Sequence, residues 1–498
     1  MMEVFMQRFI LIIAFLVSGC IPVIADDGNE PPANPYLADS PWSMTHRNPY
    51  CQASSPYPGP DTGISGKDYI MGTPGCITMP ISGKYADGNR VVWGNNLTHV
   101  FKLSTKNKTL VEIDEMKKDT DDDDGKGLVE SGVSGAYTLV DKNGVFFVPD
   151  MTRIIAYCDS VTGDPASKIK IRNIYSIPNE HLKGSDDKIV GLVMTYDGML
   201  IFATNTGLVC ALSRSFEKGY YLKLGEKDEI SNSIACDEQG GIYVVTSMKM
   251  YRVQWTGTEL TTDEAKGGWI ADYETGGDQS GIRLGNGSGT TPTLMGTGSQ
   301  DRFVVITDGS ELMNMVLFWR DEIPDDWQQI PGTKDRRIAA QVPVRFGDPK
   351  ATHSQTDQSL CVRGYGSVVV NNELGADLGN RTLNIIISGF PFVAPIGIEK
   401  FEWNPETRKF SSVWANTQIS IPNGIPCMSA STNLLYAIGK RGVFWTLEAV
   451  DWDTGESAFY SNVGIGLQYN SAYAATQVGL DGCIYSGTAI GLVNLRPK

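Results

Sequence analysis

The sequence predicts an all-β fold, a single β-propeller of about eight four-stranded blades closed with an N-terminal strand. Three observations predict it. A turn–strand–turn–strand unit recurs along the 498 residues, the spacing between its turns is nearly constant, and the last copy stops one strand short. The clearest unit spans residues 196–213. Asp197-Gly198 is a hairpin signal, 199–203 a β-rich run, Asn205-Thr206-Gly207 a second turn and 208–212 a second run. Gly482 and Gly491 repeat the interval between Gly198 and Gly207, as do Asn433 and Gly442, and Gly144 and Arg153. Equal intervals mean strands of equal length, which stacked copies of one supersecondary unit require.

The units follow in order. The first runs from about Gly75 to Met116, with 90–93 and 99–103 as its middle strands. The second to fourth are the clear repeats, with inner runs at 136–140, 190–195 and 233–236. Tight turns at Asp159-Ser-Val-Thr-Gly163, Asn404-Pro-Glu-Thr-Arg408 and Asp453-Thr-Gly455 lead into outer strands at 168–177, 409–415 and 457–462. The fifth unit uses 290–295, 302–307 and 315–319, then a polar insertion at 321–331. The sixth uses 359–370, 383–388 and 398–403, the seventh runs from 425 to 462, and the eighth, 472–495, ends after its third strand. An unpaired sheet edge is a liability, so the missing strand is expected from the segment before Gly75.

Residues 1–25 read as a secretory signal, with Arg8 ahead of the apolar run 9–17. Two processing readings compete. Val23-Ile24-Ala25 suits cleavage before Asp26, while Leu16-Val17-Ser18-Gly19-Cys20 resembles a lipobox that would make Cys20 the lipidated N-terminus of a membrane-anchored lipoprotein. The expected address is secreted or periplasmic, with no transmembrane span in the mature chain. Residues 26–74 form a Pro- and aromatic-rich N-terminal strap, and 75–498 the propeller. Dense proline blocks regular ladders, so the strap is expected to lie along the ring, over one mouth of its channel. A net charge of −15 argues against nucleic acid, whose phosphates require a basic face. Eight of the nine cysteines, widely spaced and without a C-x-x-C pair, read as buried free thiols, with Cys361 and Cys427 the pair best placed for a disulfide.

The succession Asp/Asn-Gly, four or five apolar residues, Thr-x-x-Gly, a further apolar run and Asp-x-x-Thr-Gly resembles the repeat of quinoprotein-type β-propellers. Thr204-Asn-Thr-Gly207 and Asp159-Ser-Val-Thr-Gly163 carry it here, and it covers most of 75–495. The resemblance implies fold more than function. Quinone-dependent dehydrogenases of that superfamily usually carry adjacent cysteines and a tryptophan-docking motif in every blade. This chain has neither, nor Cys-x-x-Cys-His, so no quinone or haem is expected. Two other comparisons are with the eight-bladed outer-membrane assembly lipoprotein, a scaffold, and with calcium-dependent lactonase propellers.

The four histidines, His46, His99, His181 and His353, show no metal-ligand spacing. Asp119, Asp121 and Asp123, with Glu130, imitate a calcium loop, but Asp124 stands where that loop needs glycine, and a solvated acidic loop is the expected reading. Gly285-Asn-Gly-Ser-Gly289 reads as a flexible loop rather than a nucleophile elbow. Propeller ligands bind where loops converge at an axial mouth. The binding candidates are therefore Asp308 and Glu311; His353, Asp357 and Arg363 around the sixth inner strand; Asn371, Asn372 and Glu373 after it; and Asp237 and Glu238 in the fourth unit. Converging carboxylates and amides would suit calcium, and the same residues also suit ordinary turns. Two functions are expected: small-molecule binding at the mouth, extending to metal-assisted hydrolase, lyase or isomerase chemistry, or a non-catalytic scaffold binding an envelope protein.

Overall fold

The computed structural model describes residues 28–71, 78–118, 134–277 and 285–498. The leader with Cys20, together with Cys76 and the acidic loop after Lys118, lies outside the described residues.

Eight antiparallel sheets form a ring, a single eight-bladed β-propeller. Blade 3 shows the unit in full. Ile189–Met194 is innermost, followed outward by Met199–Thr204, Leu208–Ser213 and Gly219–Lys223. The register is regular, with Met199 opposite Ser213 and Ala203 opposite Val209. Gly198 and Gly207 hold φ of +89° and +85°, the left-handed conformation that both turns need. Gly198 also meets the Tyr36 ring of the strap, where a Cβ would stand 2.7 Å from Cδ1. The expected middle strands of blade 1 are Val91–Asn95 and His99–Ser104. Its inner segment joins through the Ile81–Val92 bridge.

Blade 8 closes the ring. Its inner three strands are Thr476–Val478, Ile484–Thr488 and Gly491–Pro497, and its outermost strand is Ile64–Met71 from the strap. The pairing runs from Ile64 opposite Pro497 to Met71 opposite Gly491. The chain that leaves one strand undone at its end thus supplies it from near its beginning.

Strand order fixes two faces. The connections into each inner strand and the turns between second and third strands share the upper face. The turns after the inner strands share the lower face. The strap enters from below: Asn34 Nδ2 donates to the carbonyl of Met194 at 2.9 Å, and Leu37 bridges Asp141. It then climbs the axis and descends again, bonding inner strands on the way. Its Trp42, Pro49, Tyr50, Gln52 and Ala53 carbonyls accept from the backbone N–H of Ile81, Cys236, Leu294, Val362 and Met428. Ser54–Ser55 runs parallel beside Cys427–Ser429. Trp42, Met44, Tyr50, Cys51 and Ala53 are all buried.

Residues 383–388 differ from expectation. They form part of an α-helix, Arg381–Ile387, within the connection 371–397 of blade 6. The run Ile385-Ile-Ile387 has strand composition, but Asn380 caps the segment by accepting from Leu383 N. Its buried positions, Asn384 and Ser388, fall four apart, the period of a helix rather than a strand.

The seven described cysteines are free thiols, including Cys361 and Cys427. Six are buried and Cys158 is half-buried. Alkylation of the native protein followed by peptide mass spectrometry should therefore label Cys158 ahead of Cys51, Cys210, Cys236, Cys361, Cys427 and Cys483. A Cys361–Cys427 disulfide peptide in that digest would contradict the free-thiol arrangement.

Candidate functional site

The ten predicted site residues divide between the faces. Asp308, Glu311, His353, Asp357, Asn371, Asn372 and Glu373 lie on the upper face around blades 5 and 6. Asp237, Glu238 and Arg363 lie on the lower face, against the strap.

The lower three anchor structure. Asp237 accepts from Gly241 N at 2.7 Å and from the Tyr243 hydroxyl at 2.6 Å, and it pairs with Arg252 at 3.4 Å. Glu238 accepts from the Tyr50 hydroxyl of the strap at 2.5 Å. Partial burial opposes ionisation of Glu238, but the Tyr50 bond and the nearby Arg320 charge outweigh it and hold the carboxyl below its ordinary range. Arg320 is fully buried, its guanidinium 5.0 Å from the Tyr50 ring, and none of its three nitrogens makes a hydrogen bond among the described residues. Arg363 pairs with Glu30 at 2.8 Å, and Glu30 also holds Arg47 at 2.7 Å. Tyr50→Phe removes a bond to a half-exposed carboxylate, so it should cost about 1–2 kcal/mol in denaturant unfolding; an unchanged midpoint would show that the hydroxyl contributes nothing to strap docking.

On the upper face Asp308 directs both carboxylate oxygens into its own turn. Oδ1 accepts from Asn314 N at 2.8 Å and Oδ2 from Asn314 Nδ2 at 2.7 Å and Ser310 Oγ at 3.0 Å. Burial raises its pKa against those bonds. His353 stands between two carboxylates, 3.0 Å from Glu373 and 3.9 Å from Glu311, through opposite ring nitrogens. Opposite nitrogens cannot converge on one ion. Burial raises the Glu373 pKa, with the His353 charge opposing. Asn371 accepts from Glu373 N at 2.8 Å. Asn372 Oδ1 accepts from Asp357 N at 2.8 Å and Thr356 Oγ1 at 3.0 Å, while its Nδ2 donates to Pro422 O at 3.0 Å. The amides continue round the mouth: Asn423 Nδ2 donates to Asn470 Oδ1 at 2.7 Å and to Ser388 Oγ at 2.9 Å.

The axis itself carries groups that sequence reasoning missed. His46 is the upper tip of the strap. Its Nε2 lies 3.3 Å from Ser359 Oγ and 3.5 Å from Thr291 Oγ1, and Ser359 Oγ donates to Thr291 Oγ1 at 3.1 Å. Tyr137 faces the imidazole with ring centroids 5.8 Å apart. Thr291 and Ser359 sit just before the inner strands of blades 5 and 6, and Tyr137 just before that of blade 2. The usable signals were Thr290-Thr291-Pro292 and Asp357-Gln-Ser359, polar clusters immediately ahead of inner strands. Complete burial lowers the His46 pKa to about 4, so the ring is neutral at pH 7. The two hydroxyls engage Nε2, leaving Nδ1. That Nδ1 has no partner among the described residues; neither do both ends of the Gln358 amide and Nδ2 of Asn48. Such buried groups each cost about 1–3 kcal/mol when left unmet. Ser288, from the loop read as flexible, is buried and donates to Thr290 O at 3.2 Å.

No family model matches the chain. An uncharacterized protein of Archaeoglobus fulgidus is 46% identical over 480 residues, covering 94% of this chain and 89% of that protein. Among solved structures, a europium-containing methanol dehydrogenase superposes with a TM-score of 0.54 at 12% identity, covering 90% of each chain. A quinohemoprotein alcohol dehydrogenase of Pseudomonas putida HK5 gives 0.53 at 12% identity, covering 92% of this chain and 80% of its own. These two likenesses establish the quinoprotein-like propeller fold. Among the described residues no three His, Cys, Asp or Glu side chains converge as ligands. Hydroxyls and amides surround the His46 imidazole, and the Asp357 carboxylate stands close enough to act on Tyr137.

Proposed function

The chain belongs to the family of that Archaeoglobus fulgidus protein, and from its axial geometry we propose that it binds a small polar molecule at the upper mouth of the propeller. One observation carries the reading: His46 Nδ1 and the Gln358 amide are buried, polar and unpartnered beside the inner-strand ends of blades 5 and 6. Natural cores satisfy such groups, and a ligand reaching the mouth would do so. Tyr137, half-buried, stands beside the imidazole.

The test is a thermal-shift screen of chemically diverse small molecules against the wild type, followed by calorimetry with any that stabilise it. A ligand that binds one to one, and loses affinity about tenfold or more with Ser359→Ala or Gln358→Leu, supports the reading. Binding that neither substitution changes removes the axis as the site. Repeating the titration after chelation decides the metal: lost affinity restored by calcium adds that ion, and unchanged affinity leaves a metal-free site. The extracytoplasmic address belongs to the same proposal. Its test is the N-terminus of the native protein, expected at Asp26 or at an acylated Cys20; an intact leader would overturn it.

A further inference from the structure

Beyond the axis, the upper face over blades 6 to 8 is apolar to an unusual degree. The connection 371–397 of blade 6 lies across it: Ile385 O accepts from Asn470 Nδ2 at 3.2 Å, and Gly389 is so close to the Trp445 ring that a Cβ would stand 2.5 Å from it. Asn470 in turn is bonded by Ala489 N at 2.7 Å. These contacts join three blades into one continuous surface. From it Ile386, Phe390, Phe392, Val443, Ile465 and Ile490 project into solvent, Phe392 with 94% of its surface exposed. Leu378, Leu383 and Ile396 of the same connection are exposed as well, where apolar side chains on an ordinary surface are scattered singly.

The sequence there is also uncharged. Residues 382–397 contain no Asp, Glu, Lys or Arg, and neither do 457–480 or 482–495, in a chain whose charged fraction is 20%. We propose that this face is where two copies of the chain pair, upper face to upper face. An apolar core depleted of charge is the composition of homodimer interfaces. Charge favours a second copy over other occupants. A chain of net charge −15 repels its own kind everywhere except across a neutral face. Such a face also offers nothing to steer an oppositely charged partner. Lys440 and Arg441 flank Val443, but Lys440 donates to the Val443 carbonyl at 2.8 Å and Arg441 pairs with Glu448 at 2.7 Å. Both are thus engaged within the fold rather than set out as the basic rim that draws amphipathic surfaces to membranes.

Sedimentation velocity of the purified full chain over a wide concentration range tests this, with flotation on neutral phosphatidylcholine vesicles alongside. The expected result is a reversible species of twice the 54.3 kDa chain mass, and association at least about tenfold weaker for Phe392→Asp and for Ile465→Asp. Both side chains are exposed, so the variants should melt at the wild-type temperature when measured as monomers, which separates lost pairing from misfolding. A monomer at every concentration overturns the proposal. So does a dimer that both substitutions leave intact, or vesicle binding by a chain that stays monomeric, which would assign the face to lipid.

Discussion

Trp42→Ala is expected to cost about 3–5 kcal/mol, the range for emptying a buried aromatic site. Trp42 has no measurable exposure, and its carbonyl accepts from Ile81 N, fixing the inner edge of blade 1. The strap it belongs to bonds the inner strands around the axis, so the cavity opens where several blades meet. Total stability of a domain is about 5–15 kcal/mol, which makes this one change a large share of it. Denaturant unfolding of the variant should show a lower midpoint with an unchanged slope. Deleting residues 28–71 outright should abolish the single cooperative transition, since that deletion also removes the outer strand of blade 8. A truncated chain that unfolds as the wild type does would mean that the strap is an ornament and that the ring closes without it.

The second large effect concerns pH. His46 titrates near 4 in the folded protein and near 6.5 when unfolded. A histidine whose folded pKa is lowered binds its proton first in the unfolded chain. Its neutral form therefore supports full stability above about pH 6.5, and stability drains away as pH falls toward 4. The difference amounts to about 3 kcal/mol over that window. The carboxylates titrate as well, so the measurement is a comparison: unfolding free energies of wild type and His46→Gln at pH 7 and pH 4.5. The wild type should lose about 2–3 kcal/mol more than the variant across that interval. Equal losses would place His46 in contact with water.

The two results bear on how the sequence conveys its structure. The ring was legible because its turns demand particular residues. Gly198 and Gly207 hold positive φ where side chains are strained, and their spacing repeats because the strands between them must match in length. The deficit in the last unit was legible for the same reason, and Ile64–Met71 fills it. The α-helix Arg381–Ile387 was not, because three consecutive isoleucines favour a strand locally and only Asn380 and the buried Asn384–Ser388 pair decide otherwise.

The site was legible in part. Glu311, His353, Asp357, Asn371, Asn372 and Glu373 do gather on one face, because the run 359–370 is two strands rather than one. His353 and Asp357 precede the inner strand Cys361–Arg363, Asn371 to Glu373 follow the returning second strand Gly366–Val370, and Glu311 lies in the matching turn of blade 5. Asp237 and Glu238, in an equally polar turn, and Arg363, at the end of the inner strand Cys361–Arg363, are sent by strand direction to the opposite face. His46 carries no local mark at all. Its partners, Thr291 and Ser359, stand about 250 and 310 positions away and meet it only because the strap threads the axis.

The seam in blade 8 has a temporal consequence. Its outer strand, Ile64–Met71, is made before seven of the blades and its partner, Gly491–Pro497, after them. The circle cannot be sealed until Gly491–Pro497 has been made. The early segment must wait, unpaired, through the synthesis of seven blades, and contacts so distant in sequence form slowly.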